Sequence, residues 1–127
     1  MSDVLINNTL VNDTARVTLG QPGGIRVMGE RNVTVSHCTI GHVPYAGIMV
    51  GWQTITKHTQ RSTIFDISYN HVHDYGLGIL SDFGGIYLSS KNNLCFQEEP
   101  DTCHLPTHVH HNFIHDGRRY NYGAQVK

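Results

Sequence analysis

A short hydrophobic pattern recurs along the chain: an apolar residue, two variable residues, a small polar residue, one variable residue and a second apolar residue. Its four copies are Leu5–Leu10, Val35–Ile40, Ile67–Val72 and Val109–Ile114. Strands this short cannot bury a core alone, but equivalent strands of successive coils can do so when they stack about 4.8 Å apart. The repeat therefore predicts an all-β fold, a parallel β-helix solenoid of about four coils.

A second element follows each copy, a glycine that leads into a short apolar strand. These segments are Gly23–Val27, Gly47–Val50, Gly84–Leu88 and Gly123–Val126. We expect glycine and asparagine at the corners of the coils, where the backbone adopts left-handed angles. We place Asn8, Asn70 and Asn112 at one equivalent position, where their amides would bond neighbouring coils, and Cys38 in the same column as a small buried residue.

Two other architectures fit the pattern less well. No segment carries the sustained three-to-four spacing of apolar residues that predicts a helix. An antiparallel sandwich of short hairpins is the main alternative, but it does not explain why one pattern returns every thirty-odd residues.

Residues 1–127 are interpreted as one β-helix domain with a loop insertion at 91–106, in the widest gap between copies. Cys95 and Cys103 flank a polar loop in this insertion and are candidates for a disulfide. Solenoids normally cover their ends with capping elements, and neither end of this sequence has one. We therefore expect an incomplete stack, with further β-helix coils missing from this chain.

Composition narrows the range of partners. The net charge is −1 with histidines neutral, which does not favour nucleic acid or a basic membrane-binding patch. No apolar run approaches the ~20 residues of a membrane helix, and the N-terminus does not resemble a signal peptide. Three Asn-x-Ser/Thr triplets, at Asn7, Asn12 and Asn32, together with the two loop cysteines favour an extracellular or secretory-pathway location.

Stacked coils would gather acidic and imidazole side chains. We expect His73 over His115 and Asp74 over Asp116, with His42 at the equivalent place one coil below. A second column would contain His37, Tyr69 and His111. Two stacked carboxylates repel, so the pKa of one should rise, and an adjacent imidazole could share its proton. The alternative is that these side chains only bond the amides of turns.

Alternating histidines also raise the possibility of a metal. His71 and His73 face the same way on a strand, as do His108 and His110. Zinc requires three or four convergent ligands, whereas alternate residues here must also point inward or into turns. We assign no metal ligand and no cofactor.

Three segments are more specific than the repeat itself: Tyr45–Trp52, Asn70–Asp74 and Leu80–Tyr87. These segments resemble right-handed parallel β-helix proteins of the pectate-lyase-like superfamily, in particular the β-helix glycoside hydrolases. The resemblance covers nearly the whole chain. The resemblance implies a polysaccharide or glycan as the ligand. Related sequences continue beyond a segment like Tyr120–Gln125 into one with further carboxylates, so we expect an incomplete active site in this chain.

Asp82 is the first candidate for a catalytic carboxylate, by resemblance and because the following double glycine lets a ligand approach the backbone. Glycoside hydrolysis needs two carboxyl groups, and Asp74 or Asp116 is the candidate partner. The candidate sugar-binding residues are Trp52, Tyr87, His73 and His115.

The sequence thus predicts part of a glycoside hydrolase. A non-catalytic carbohydrate-binding or surface-interaction β-helix, or an inactive truncated fragment, is the alternative. The acidic cluster that a calcium-dependent lyase would need is absent from the sequence.

Overall fold

The structure is a computed structural model that describes residues 3–15, 23–28, 32–51, 64–78, 80, 82–88 and 107–118. Within these ranges the protein is all-β and contains no helix, and therefore no helix that could span a membrane. The strands are β1 (Asp3–Asn7), β2 (Leu10–Asn12), β3 (Ile25–Val27), β4 (Asn32–Ser36), β5 (Thr39–Val43), β6 (Ile48–Val50), β7 (Ile64–Ser68), β8 (His71–Tyr75), β9 (Ile86–Leu88), β10 (Thr107–His110) and β11 (Phe113–Ile114).

These strands form three parallel sheets. The first has the order β1-β4-β7-β10, the second β11-β8-β5-β2 and the third β3-β6-β9. The chain therefore visits the first, second and third sheets in turn and then returns to the first, and we call each such round a pass. Every strand pair in the described part of the chain is parallel, which excludes the antiparallel sandwich there and is compatible with a parallel β-helix.

The predicted register is confirmed for three of the four repeat copies. Val35 pairs with Ile67, and Ile67 pairs with Val109. The first copy was misaligned by one residue, because Ile6 and not Leu5 pairs with Val35. A slip of one residue exchanges the two faces of a strand. As a result Leu5 and Leu10 are 71% and 72% exposed, while Ile6 and Val11 pack against the core.

The core lies between the three sheets and is densest in the second pass. Inward side chains stack by type across passes, as in the column Ile25, Ile48 and Ile86 of the third sheet. The fully buried apolar side chains include Val35, Ile40, Val43, Ile48, Val50, Ile67 and Val72. Gly47 is required here, since a Cβ at this position would lie 2.3 Å from Val72 Cγ1.

A polar ladder crosses this core where the first sheet turns into the second. The Asn70 amide donates to the Val35 carbonyl oxygen at 2.9 Å and accepts from the Cys38 N–H at 3.0 Å. Asn112 repeats the pattern one pass later, accepting from the Asn70 N–H at 3.0 Å. Cys38 is buried in the same column, as predicted, but Asn8 is not in it, because the one-residue slip places Asn8 one position earlier, level with His37.

The corners differ from expectation, because most residues with left-handed backbone angles there are not glycine. One column is Asn8, His37, Tyr69 and His111, with φ between 51° and 56°. The other is Asp13, His42, Asp74 and Asp116, with φ between 46° and 63°. Asn, Asp and His tolerate this conformation better than other side chains do.

Several predictions fall outside the described residues. They are Trp52, the whole loop insertion at 91–106 with the proposed disulfide of Cys95 and Cys103, and the fourth glycine segment, Gly123–Val126.

Candidate functional site

The ends of β5 and β8 and the segment after β11 bring imidazoles and carboxylates together at one edge of the second sheet. We call this group the histidine–aspartate cluster: His42, His71, His73, Asp74, His115 and Asp116. Parallel pairing sets the alignment, with Gly41 opposite His73, and the His115 N–H donates to the Val72 carbonyl oxygen at 3.0 Å. The prediction of His73 over His115 and Asp74 over Asp116 is confirmed. Gly41 lies opposite His73, so His42 lies at the place equivalent to Asp74 and Asp116, as the repeat predicts.

Gly41 has a specific role in this arrangement. A Cβ on Gly41 would lie 2.4 Å from Cε1 and 2.6 Å from Nε2 of His73. The His73 ring therefore covers the glycine backbone, in space that any other residue would fill with its own side chain. This is a close approach that only glycine permits.

Asp74 and His73 form the first histidine–carboxylate pair of the cluster. Asp74 Oδ2 lies 3.0 Å from His73 Nδ1, and Asp74 Oδ1 accepts from the Arg118 guanidinium at 3.0 Å. The hydrogen bond from His73, aided by the charge of Arg118 and opposed by desolvation, lowers the pKa of Asp74. The rise in pKa expected for one of the stacked carboxylates is therefore not found at Asp74, where hydrogen-bond donors and positive charge favour the ionised form.

Asp116 and His115 form the second pair, one pass later. Asp116 Oδ2 lies 2.8 Å from His115 Nδ1, and because an ionised carboxylate only accepts, Nδ1 carries the proton. His115 Nε2 is then an acceptor, and it lies 2.7 Å from His71 Nε2. His71 therefore donates to His115, which donates to Asp116. Burial, with the neighbouring His73 and His115, lowers the pKa of His71 and keeps it neutral.

His42 lies at the margin of the cluster. Its Nδ1 is 3.0 Å from Asn12 Oδ1, and its Nε2 is 3.9 Å from Asp74 Oδ2. His42, His73 and Asp74 each offer one ligand atom, and these atoms all lie within 4.8 Å of one another. In the described part of the chain this is the group suited to hold a metal ion, and it does not include His108 or His110.

Asp82 belongs to a separate group on the third sheet. Its Oδ2 accepts from the Tyr87 hydroxyl at 3.1 Å, and its backbone carbonyl oxygen accepts from the Tyr45 hydroxyl. Burial, together with the charges of Tyr87 and Asp82, raises the pKa of Tyr45 to about 12. Burial also raises the pKa of Tyr87, together with its hydrogen bond to Asp82. We call Tyr45, Asp82 and Tyr87 the Asp82–tyrosine group.

The predicted site residues thus divide into two sets. Asp74, Asp116, His73 and His115 lie together in the histidine–aspartate cluster, and Asp82 lies with Tyr87. No described contact joins Asp82 to Asp74 or Asp116, so a carboxylate pair including Asp82 remains a prediction. Trp52 lies outside the described residues.

Sequence reasoning missed three contributors. Tyr45 reaches Asp82 across 37 positions, and Asn12 reaches His42 across 30, through contacts that depend on packing between passes. The third is Arg118, which bonds Asp74 from beyond the last repeat copy. The signal available for Asn12 and Gly41 was their equivalent position in the repeat, once the first copy is aligned correctly.

The predicted ring column at the other corner is also present. His37 and Tyr69 stack with centroids 5.1 Å apart, and Tyr69 and His111 stack at 4.8 Å. Because the rings cover one another, Tyr69 has no free face to offer to a sugar. The column is therefore better suited to support the corner than to bind a ligand.

No family model matches the chain, and comparison with curated proteins and with solved structures gave no significant match.

Proposed function

We propose that this chain is part of a right-handed parallel β-helix that binds and processes polysaccharide or glycan, with the histidine–aspartate cluster as its chemical centre. The support for the fold is the order of the strands, because each one pairs with its equivalents in adjacent passes. Crossovers between parallel strands of one sheet are right-handed in the great majority of proteins. The sequence resemblance to β-helix glycoside hydrolases supports the substrate class.

The observation that carries the proposal is the pair of stacked histidine–carboxylate units. The rings of His73 and His115 are 5.8 Å apart and 15° from parallel, and each ring's Nδ1 bonds a carboxylate. A carboxylate that holds Nδ1–H fixes the tautomer and leaves the far side of the imidazole as a proton acceptor. For His73 this acceptor is Nε2. In the second unit the acceptor is Nδ1 of His71. His71 donates from Nε2 to His115, and His115 donates to Asp116.

These acceptors suit the activation of water or of a sugar hydroxyl. When His71 Nδ1 takes a proton, His71 Nε2–H can pass its own proton to His115, and Asp116 stabilises the resulting positive charge. Asp74 is less suited to act as the acid, because both of its oxygens are bonded and its pKa is lowered. Asp74 therefore orients His73 in this proposal. The exposed carboxylates Asp116 and Asp82 are the candidates for glycosidic chemistry.

Asp82 has the features of a sugar contact. It is exposed, and only one of its carboxylate oxygens is bonded to Tyr87 in the described contacts. Carboxylates of this kind accept hydrogen bonds from pairs of sugar hydroxyls. The Tyr87 bond fixes the direction in which the second oxygen points.

The test is to incubate the protein with a panel of neutral and uronic-acid polysaccharides and to measure the release of reducing ends and of unsaturated products. We expect His71→Gln to lower kcat by about 100-fold or more, the usual contribution of a general base, while glycan binding is retained. Asp82→Asn should weaken glycan binding. His37→Gln is the matched control, since His37 lies in the ring column away from the cluster.

Two results would count against the enzyme. Glycan binding without turnover in the parent protein would favour the non-catalytic carbohydrate-binding alternative. A parent protein that neither binds nor cleaves any member of the panel would refute the carbohydrate proposal in both forms and favour an inactive fragment.

A further inference from the structure

We propose that His42, His73 and Asp74 form a binding site for a divalent transition metal ion of the Zn²⁺ class. This site goes beyond the carbohydrate proposal. A bound ion would replace the His73–Asp74 hydrogen bond and leave the unit of His71, His115 and Asp116 unchanged. The three residues come from neighbouring strands β5 and β8, at the same end of the second sheet.

The spacing of the donor atoms fits such an ion. Zinc binds imidazole nitrogen and carboxylate oxygen at about 2.0–2.2 Å, which places tetrahedral ligand atoms roughly 3.3 Å apart. Here Asp74 Oδ2 lies 3.0 Å from His73 Nδ1 and 3.9 Å from His42 Nε2, and the three ligand atoms lie within 4.8 Å of one another. The half-exposed His42 side chain can close the remaining distance by a small rotation.

The hydrogen bond of His42 provides an independent indication. The amide oxygen Asn12 Oδ1 can only accept, so His42 Nδ1 carries a proton. In neutral His42, Nε2 then has a lone pair that faces Asp74 Oδ2, which also only accepts. A proton on His42 Nε2 or a metal ion bound between the two atoms would satisfy both acceptors. An outer partner that fixes the tautomer in this way is typical of histidines that bind metal.

The two carboxylate oxygens of Asp74 have different partners. Arg118 bonds Oδ1, so Oδ2 is the oxygen directed at the two imidazoles. His73 Nδ1 can become a ligand when its proton moves to Nε2, which changes the tautomer without changing the net charge. Gly41 leaves the room in which the His73 ring can adjust.

The donor set indicates the class of ion. Two imidazole nitrogens and one carboxylate oxygen suit Zn²⁺ and Co²⁺, whereas Ca²⁺ and Mg²⁺ require mainly oxygen ligands. Three protein ligands leave a fourth position for water or another small molecule, as in sites where the ion is reactive.

The experiment is titration of the full chain with Zn²⁺ by calorimetry, and with Co²⁺ by visible absorption. We expect one equivalent to bind, with Co²⁺ bands of tetrahedral intensity. His42→Gln should weaken binding at least 100-fold. Asn12→Ala should weaken it about 10- to 100-fold, the usual effect of losing an outer partner.

Controls are essential because the chain contains ten histidines. His37→Gln and His111→Gln remove histidines of the ring column, and we expect both variants to bind Zn²⁺ as the parent does. The proposal is overturned if His42→Gln binds as tightly as the parent, if a control variant loses the site instead, or if the parent shows no stoichiometric binding.

A second measurement in the parent protein covers the case in which a variant does not fold. Zn²⁺ should shift the imidazole NMR signals of His42 and His73 together at one equivalent, and signals that do not respond would overturn the site. No carbohydrate is present in either experiment. Loss of the metal site and loss of the carbohydrate proposal are therefore separate outcomes.

Discussion

Tyr45→Phe is expected to destabilise the protein at neutral pH and to stabilise it at strongly alkaline pH. Tyr45 is 1% exposed, and its ring packs against Phe83 and Tyr87 with centroids 6.2 Å away in each case. The substitution retains this ring and removes only the hydroxyl. At neutral pH it leaves the Asp82 carbonyl oxygen without its donor, at a cost of about 1–2 kcal/mol in the free energy of unfolding.

The alkaline effect has the opposite sign. The pKa of Tyr45 is raised from 10.0 to about 12 by burial, with Tyr87 and Asp82 raising it and Arg26 lowering it. Between these values the unfolded chain loses a proton that the folded chain keeps, so stability falls as pH rises. One pKa unit is worth about 1.4 kcal/mol, so the two-unit rise costs the parent about 3 kcal/mol above pH 12.

Phenylalanine does not titrate, so the variant avoids this loss. Its stability curve should cross that of the parent between pH 10 and about 12 and end about 1 kcal/mol above it. The assay is urea unfolding followed by far-UV circular dichroism from pH 8 upward. Tyr69→Phe is the matched control, since Tyr69 is half-exposed, and its curve should run parallel to the parent's. Parallel curves for Tyr45→Phe and the parent would refute the reasoning.

Three further substitutions test the packing between passes. Gly47→Ala should lower the free energy of unfolding by about 3 kcal/mol in urea titration, since its Cβ would lie 2.3 Å from Val72 Cγ1 and 2.6 Å from a backbone oxygen. Gly41→Ala should cost less, because it meets the movable ring of His73, yet it should weaken Zn²⁺ binding measured by calorimetry. Asn70→Ala should cost about 2–5 kcal/mol by the same urea assay, since it leaves a buried N–H and a buried carbonyl unpaired. A Gly47→Ala variant as stable as the Gly41→Ala variant, or a fully stable Asn70→Ala variant, would contradict the stacked register.

The sequence was sufficient to predict the repeat and most of its register, because inward positions repeat the same residue types. Val35, Ile67 and Val109 stack as expected. The first copy was ambiguous, since Leu5 and Ile6 are both apolar and either satisfies the pattern. Only packing decides between them, and it places Ile6 inward and leaves Leu5 exposed.

The candidate site was predictable where it follows the repeat and not where it depends on contacts between sheets. The Asp74–Asp116 and His73–His115 columns come directly from equal spacing within two well-matched copies. His42 follows from the same spacing, since it is equivalent to Asp74, while the residue equivalent to His73 in its pass is Gly41, which carries no side chain. The Tyr45–Asp82 bond crosses from one sheet to another, and no repeat distance encodes it.

The chemistry of this fold concentrates at its corners for a physical reason. The corner column of Asp13, His42, Asp74 and Asp116 requires left-handed backbone angles, which Asp and His accept at modest cost. Inward positions are occupied by stacked aliphatic side chains, where a charge would be costly without a partner. Corner residues point away from that core, and parallel pairing repeats them in adjacent passes. A chain that places polar residues where its backbone must turn therefore aligns carboxylates and imidazoles into rows, and the histidine–aspartate cluster is such a row.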